Sequence, residues 1–128
     1  MKLLLDTHAL LWWWTDDKQL SGPARAAITD EANTVLVSAA SVWEISTKFR
    51  LGKLAIAEAA LPQFQALIEA DGFEHLPITW QHSLLAGSYP QEHRDPFDRM
   101  LAAQSEIEKA RLVSCDAAFA AFNTHVLW

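Results

Sequence analysis

"LLLDTHALLWWW", Leu3 to Trp14, sets an aspartate and a histidine two residues apart in an almost entirely apolar run. Three leucines ahead of Asp6 suit a short buried strand, and the residues after it suit a helix, so the stretch reads as strand, acid, helix. An acid ending such a strand is largely buried and needs a partner to stay charged. A membrane span takes about 20 apolar residues, and the run before Asp6 is far too short. A secretory signal fits no better, because the acid interrupts the apolar region before any small-residue cleavage site.

With 128 residues, 51% of them hydrophobic, the chain has the length and core of one ordinary domain, residues 1–128. The single cysteine, Cys115, has no partner for an intrachain disulfide or a zinc knuckle, which points to a reducing, cytoplasmic setting. A net charge of -6 argues against a broad basic surface for phosphates. Any nucleic acid must be held by something other than the overall field.

Short β-prone runs recur between longer helical stretches. Lys2 to Leu5, Thr34 to Val37, Glu74 to Ile78, Arg111 to Cys115 and His125 to Leu127 are the candidate strands. Segments of helical spacing such as Pro62 to Ala70 and Pro96 to Ala110 separate them, which predicts an α/β fold with a central, mainly parallel sheet of about five strands. Ser21-Gly22-Pro23 and Asp95-Pro96 mark helix starts, and Ser38 and Ser41 compete to cap the helix that stops near Gly52.

Ligands of open parallel sheets bind beyond the carboxyl ends of the strands. Asp6 follows the first strand, Asp116 follows "RLVSC", and Glu44 lies in the first or second turn of the helix after "TVLVS". Asp98 starts a helix of about 20 Å whose chain returns along a strand of about 16 Å, so its start comes back near Asp116. Four carboxylates at one edge repel one another unless a cation neutralises them. Oxygen donors of this kind favour hard ions such as Mg²⁺ or Mn²⁺.

"LLLDTHALLWW", "VSAASVWEI", "RDPFDRMLAAQ" and "LVSCDAAF", in that order along nearly the whole chain, resemble the PIN-domain ribonucleases, most closely the VapC toxins of bacterial toxin-antitoxin pairs. The resemblance implies a three-layer α/β/α fold and an acidic quartet binding one or two Mg²⁺ or Mn²⁺ ions. The quartet falls on Asp6, Glu44, Asp98 and Asp116, with Asp95 left to helix capping. Thr7 and Ser114 match small hydroxyl positions beside the first and fourth acids, suited to orienting a carboxylate. The family's habits imply an RNA substrate, a homodimer and a cognate antitoxin laid over the active-site groove.

Each residue also has a plainer structural reading. Ser41-Val42-Trp43-Glu44 fits a capping box in which Glu44 serves only its own helix. Asp98 suits a helix dipole, and Asp116 suits an N-cap. His8 reads as a structural neighbour. Lys48, Arg50, Lys53, His93, Arg94 and Arg99 form two basic groups flanking Glu44 and Asp98; they read either as a solvated face or, for Lys48, Arg94 and Arg99 above all, as RNA-phosphate contacts. Trp12, Trp13 and Trp14 point about 100° apart on a helix, so at least one faces a cleft or a partner, whereas Trp43 and Trp80 are expected in the core.

Three alternatives remain. One is a PIN-type RNA-processing nuclease outside any toxin system. Another is a phosphatase with a strand-end aspartate nucleophile, of the haloacid-dehalogenase type, although that family wants a second aspartate where His8 stands. The third is a non-catalytic interaction module.

Overall fold

Leu3, Leu4 and Leu5 have no exposed surface in the computed structural model, which describes all 128 residues. They form β1 (Lys2–Leu5), and strand alternation sends Leu3 and Leu5 to one apolar cluster and Leu4 to another. β1 is thus the middle of the molecule. It lies between β2 (Thr34–Ser38) and β4 (Arg111–Val113), and β3 (Glu74–Leu76) and β5 (Val126–Leu127) complete the order β3-β2-β1-β4-β5. All four neighbouring pairs are parallel, as the leucine- and valine-rich strands predict.

Helices cover both faces. α1 (Thr7–Trp14), α2 (Gly22–Thr29), α3 (Ala39–Arg50) and α4 (Phe64–Ala70) pack residues such as Leu10, Ile28, Ile45 and Ile68 against Leu3 and Leu5. α6 (Pro96–Glu108) places Leu101 and Ala102 against Leu4 and Leu112 on the other face, where Phe119 and Phe122 join them, and α5 (Trp80–Ser88) lies against α6. This is the three-layer α/β/α architecture expected.

The boundaries differ from expectation where local chemistry intervenes. β3 ends at Leu76 because Pro77 has no N–H for the ladder. α6 ends at Glu108 because Lys109 turns left-handed, with φ 54°. Leu61–Gln63 winds as a 3-10 turn ahead of α4, and so do Ala117–Ala121 after Asp116.

The contest over α3 is won by Ser38, whose hydroxyl accepts from the Ala40 N–H at 2.9 Å. Glu44 consequently sits in the second turn and is free of capping. Ser38 also donates to Oε1 of the buried Gln104, and Gln104 Nε2 reaches Pro77 O and His82 Nδ1, each at 3.4 Å. The chain therefore ties the start of α3, at the carboxyl edge of the sheet, to α6.

Two tryptophans depart from expectation. Trp43 is 61% exposed and Trp80 71%. The inward face of α3 is taken by Ala40, Ser41, Glu44 and Ile45, and that of α5 by His82 and Ala86, so helical rotation turns Trp43 and Trp80 outward.

Replacing Ser38 with alanine removes a helix cap and strands the buried Gln104 oxygen. It should cost about 2 kcal/mol in urea unfolding. An unchanged midpoint would show that this link contributes nothing.

Candidate active site

The chain begins in the middle of the sheet, builds outward to β2 and β3, then crosses to β4 and β5 on the other side. β1 and β4 therefore flank a switch point, where ligands of such sheets bind. Asp6 leaves the end of β1 there, its N–H on Val113 O at 3.1 Å, and Asp116 follows the end of β4. α3 supplies Glu44 and Lys48 from successive turns of one face, and the first turn of α6 supplies Asp98 beneath its cap, Asp95. Together these six residues, with Thr7, His8, Trp12 and Cys115, line one open cavity of about 300 Å³.

Each acid is held by a different donor. Asp6 Oδ1 accepts from the Ala9 N–H at 2.7 Å and so caps α1. Burial raises the Asp6 pKa, with Glu44 adding to the rise; the Ser114 hydroxyl, the Ala9 N–H and His8 work against it. Ser114 Oγ accepts from the Asp116 N–H at 3.0 Å, so one buried hydroxyl serves both acids. Asp116 in turn caps the following 3-10 turn through Ala118 N at 2.9 Å.

Glu44 is only 4% exposed, and both of its oxygens are engaged. Thr7 Oγ1 donates to Oε1 at 2.5 Å, and Lys48 Nζ forms a salt bridge with Oε2. Partial burial works against the Lys48 charge, but the hydrogen bond and field of Glu44, with Asp95 and Asp98, outweigh it and hold the ammonium above its usual pKa. Asp98 Oδ2 meets His93 Nε2 at 2.9 Å. Burial still pushes Asp98 up to about 6: His93 lowers it, while Asp95 and Asp116 raise it further.

The cavity wall carries five carboxylates and one ammonium. Asp98 and Asp116 each keep one oxygen with no hydrogen-bond partner, and Asp6 is held by only the Ala9 N–H and the shared Ser114 hydroxyl. This hard, under-neutralised donor set fits a divalent cation, although no three acidic, histidine or cysteine groups already close on one point as they stand. Glu44 is furthest from such use, because the chain itself occupies both its oxygens.

Other expectations land unevenly. Trp12 lines the cavity, as one of the three tryptophans was expected to, while Trp13 and Trp14 both donate their indole N–H to Asp71 Oδ2 at 3.1 Å. His8 stands exposed at the mouth, its ring 5.5 Å from that of Trp12. Arg94 is exposed outside the lining. Arg99 faces away from the cavity, its guanidinium committed to backbone carbonyls, so it is not free for RNA phosphates. Sequence reasoning placed His93 in the basic group flanking Asp98 but missed it as that acid's hydrogen-bond partner, five residues ahead of it in "HRDPFD".

The acid-lined cleft thus lies at the switch point of a parallel α/β/α sandwich. A profile of the PIN domain matches residues 3–124, and the chain belongs to that family. PIN domains are generally nucleases, and generally depend on divalent metals. The fold is similar to that of VapBC2 from Rickettsia felis bound to a DNA fragment from their promoter, with a TM-score of 0.68, 14% identity, and coverage of 98% of this chain and 96% of that one. It is also similar to a toxin-antitoxin complex from Klebsiella pneumoniae (TM-score 0.53, 14% identity, 92% and 90% covered). A third likeness is to FitAB bound to IR36 DNA fragment (0.52, 18%, 97% and 92%). No curated relative matches the chain.

Because Asp98 is raised to about 6, it holds its proton in the native metal-free protein between about pH 4 and 6 where the unfolded chain has lost it, so stability falls as pH rises through that window, and the raised Asp6 acts in the same direction. Asp98→Asn should remove part of this loss. It should leave the metal-free protein about 1 kcal/mol more stable than wild type at pH 7, the full shift being reduced by solvent screening. Thermal unfolding at pH 4 and pH 7 measures it, and equal pH dependence in the two proteins would refute it.

Proposed function

We propose that this chain is an Mg²⁺- or Mn²⁺-dependent endoribonuclease, the toxin of a toxin-antitoxin pair neutralised by a cognate antitoxin. The observation that carries the proposal is the cavity with five carboxylates and one ammonium at the switch point of a PIN fold. Asp6, Asp98 and Asp116 would hold one or two ions, with Glu44 joining once it gives up Lys48. A bound ion of this type supplies Lewis acidity toward a phosphodiester and a low-pKa water at neutral pH.

The chain's own residues do the rest. Thr7 fixes the carboxylate of Glu44, and Ser114 that of Asp6. Lys48 is the one cation in the wall and is suited to meet a phosphate oxygen, with exposed Arg94 available further along the strand of RNA. Water as nucleophile makes no use of the 2′-hydroxyl, so RNA as substrate rests on the resemblance to VapC toxins. The toxin role draws support from the toxin-antitoxin complexes among the structural likenesses.

The exposed side chains of Trp43, Ile78, Trp80 and Leu84 offer apolar area of the kind that protein interfaces cover. We assign it to a homodimer working in the cytoplasm. No helix is long and apolar enough to cross a membrane.

RNA cleavage by the purified protein should require Mg²⁺ or Mn²⁺ and stop with EDTA, and Asp6→Asn or Asp98→Asn should each lower it at least 100-fold with the fold intact. Calorimetry with Mn²⁺ should lose its signal in the same variants. Full activity in both would sink the assignment. Trp80→Glu combined with Leu84→Glu should convert a dimer into a monomer in sedimentation, and an unchanged mass would remove this face from the interface.

A further inference from the structure

Asp98 and Arg99 are neighbours at the start of α6, so their side chains leave the helix about 100° apart. Asp98 enters the acidic cavity, and Arg99 points toward the segment that connects α5 to α6. There its guanidinium meets five backbone carbonyls. Nε donates to Ala86 O at 2.9 Å, Nη1 to Gln91 O at 2.9 Å and His93 O at 3.1 Å, and Nη2 to Tyr89 O at 2.7 Å and Gly87 O at 3.4 Å. A guanidinium has five N–H donors, and all are used.

The carbonyls come from the end of α5 and the turn that leads to His93. That segment is fixed from its other side as well: Gln91 Nε2 donates to Ala121 O at 2.6 Å, and the His93 ring packs edge-on against Phe122, centroids 5.6 Å apart. The far end of this arrangement is the bond from His93 Nε2 to Asp98 Oδ2 at 2.9 Å. His93 does not line the cavity, so it holds Asp98 from outside and takes one oxygen while the other stays free.

We propose that Arg99 and His93 are positioning residues for the acidic cavity: Arg99 gathers the 86–93 connection so that His93 is seated on Asp98, and His93 fixes which Asp98 oxygen is left for a cation. This rests on the metal-binding reading of Asp98 given above. It also accounts for a cation that otherwise looks like an RNA contact. Lysine cannot replace it, since one ammonium with three donors does not span five carbonyls.

The test is Mn²⁺ calorimetry on the full chain together with amide hydrogen exchange of residues 86–93 in metal-free protein. His93→Ala should weaken Mn²⁺ binding about 10- to 100-fold, as loss of a partner behind a metal ligand does. His93→Gln, whose amide nitrogen reaches as far as imidazole Nε2, should restore it to within a few-fold of wild type. Arg99→Lys should weaken Mn²⁺ binding like His93→Ala and speed exchange in 86–93, with the salt dependence of RNA affinity unchanged.

Wild-type Mn²⁺ affinity in both His93→Ala and Arg99→Lys overturns the proposal. So does failure of His93→Gln to rescue, or an Arg99→Lys protein that matches wild type in exchange. Absence of Mn²⁺ binding by the wild-type chain is a different result. It removes the metal site itself and this proposal with it, whereas unaffected variants of a metal-binding wild type remove only the positioning role.

Discussion

Mutual repulsion among carboxylates at the carboxyl edge of β1 is the constraint around which this end of the molecule is organised. Asp6 follows three leucines with no exposed surface, and Glu44, Asp95, Asp98 and Asp116 arrive from three other segments at the same cavity. Parallel topology forces the meeting, because every strand of the sheet ends at this edge. Burial compounds the cost by removing water from the charges, and both Asp6 and Asp98 are raised chiefly for that reason.

The chain meets this strain with donors of graded strength. Backbone N–H groups at helix starts take one oxygen of Asp6 and one of Asp116, which a capping acid accepts at little cost. Glu44 receives the stronger treatment, a hydroxyl and an ammonium, and is the acid most completely neutralised from within. Asp98 has only a histidine and stands beside Asp95 and Asp116, and burial together with their fields holds it up at about 6. The less fully neutralised carboxylates of Asp6, Asp98 and Asp116 are where an added cation has most to gain, and this gradient gives the PIN fold here its chemical direction.

The surface beside this edge follows from the same geometry. α3 turns Ser41, Glu44 and Ile45 inward, and Trp43 is carried out to stand against Phe97, with ring centroids 4.9 Å apart. Two aromatic residues thus directly precede two of the four acids, at the rim rather than in the core. Trp43 and Glu44 turn to different sides because successive residues of a helix face different directions.

The sequence by itself determined the parts that depend on local chemistry. Strand, acid and helix follow from "LLLDTHALLWWW", the order of the four acids from the spacing of strands and helices, and the caps at Ser21, Asp95 and Asp116 from residues adjacent to the turns they close. Only the tertiary structure decided which donor each acid receives. Thr7 meets Glu44 across 37 residues, and Arg99 reaches back as far as 13 to gather the segment that carries His93. It also decided that Ser38 rather than Ser41 caps α3, and that Trp43 and Trp80 face outward. The physical reason is the same throughout: periodicity and capping act within a few residues, whereas a side chain's partner depends on which helix face the sheet accepts, and only packing between distant segments sets that.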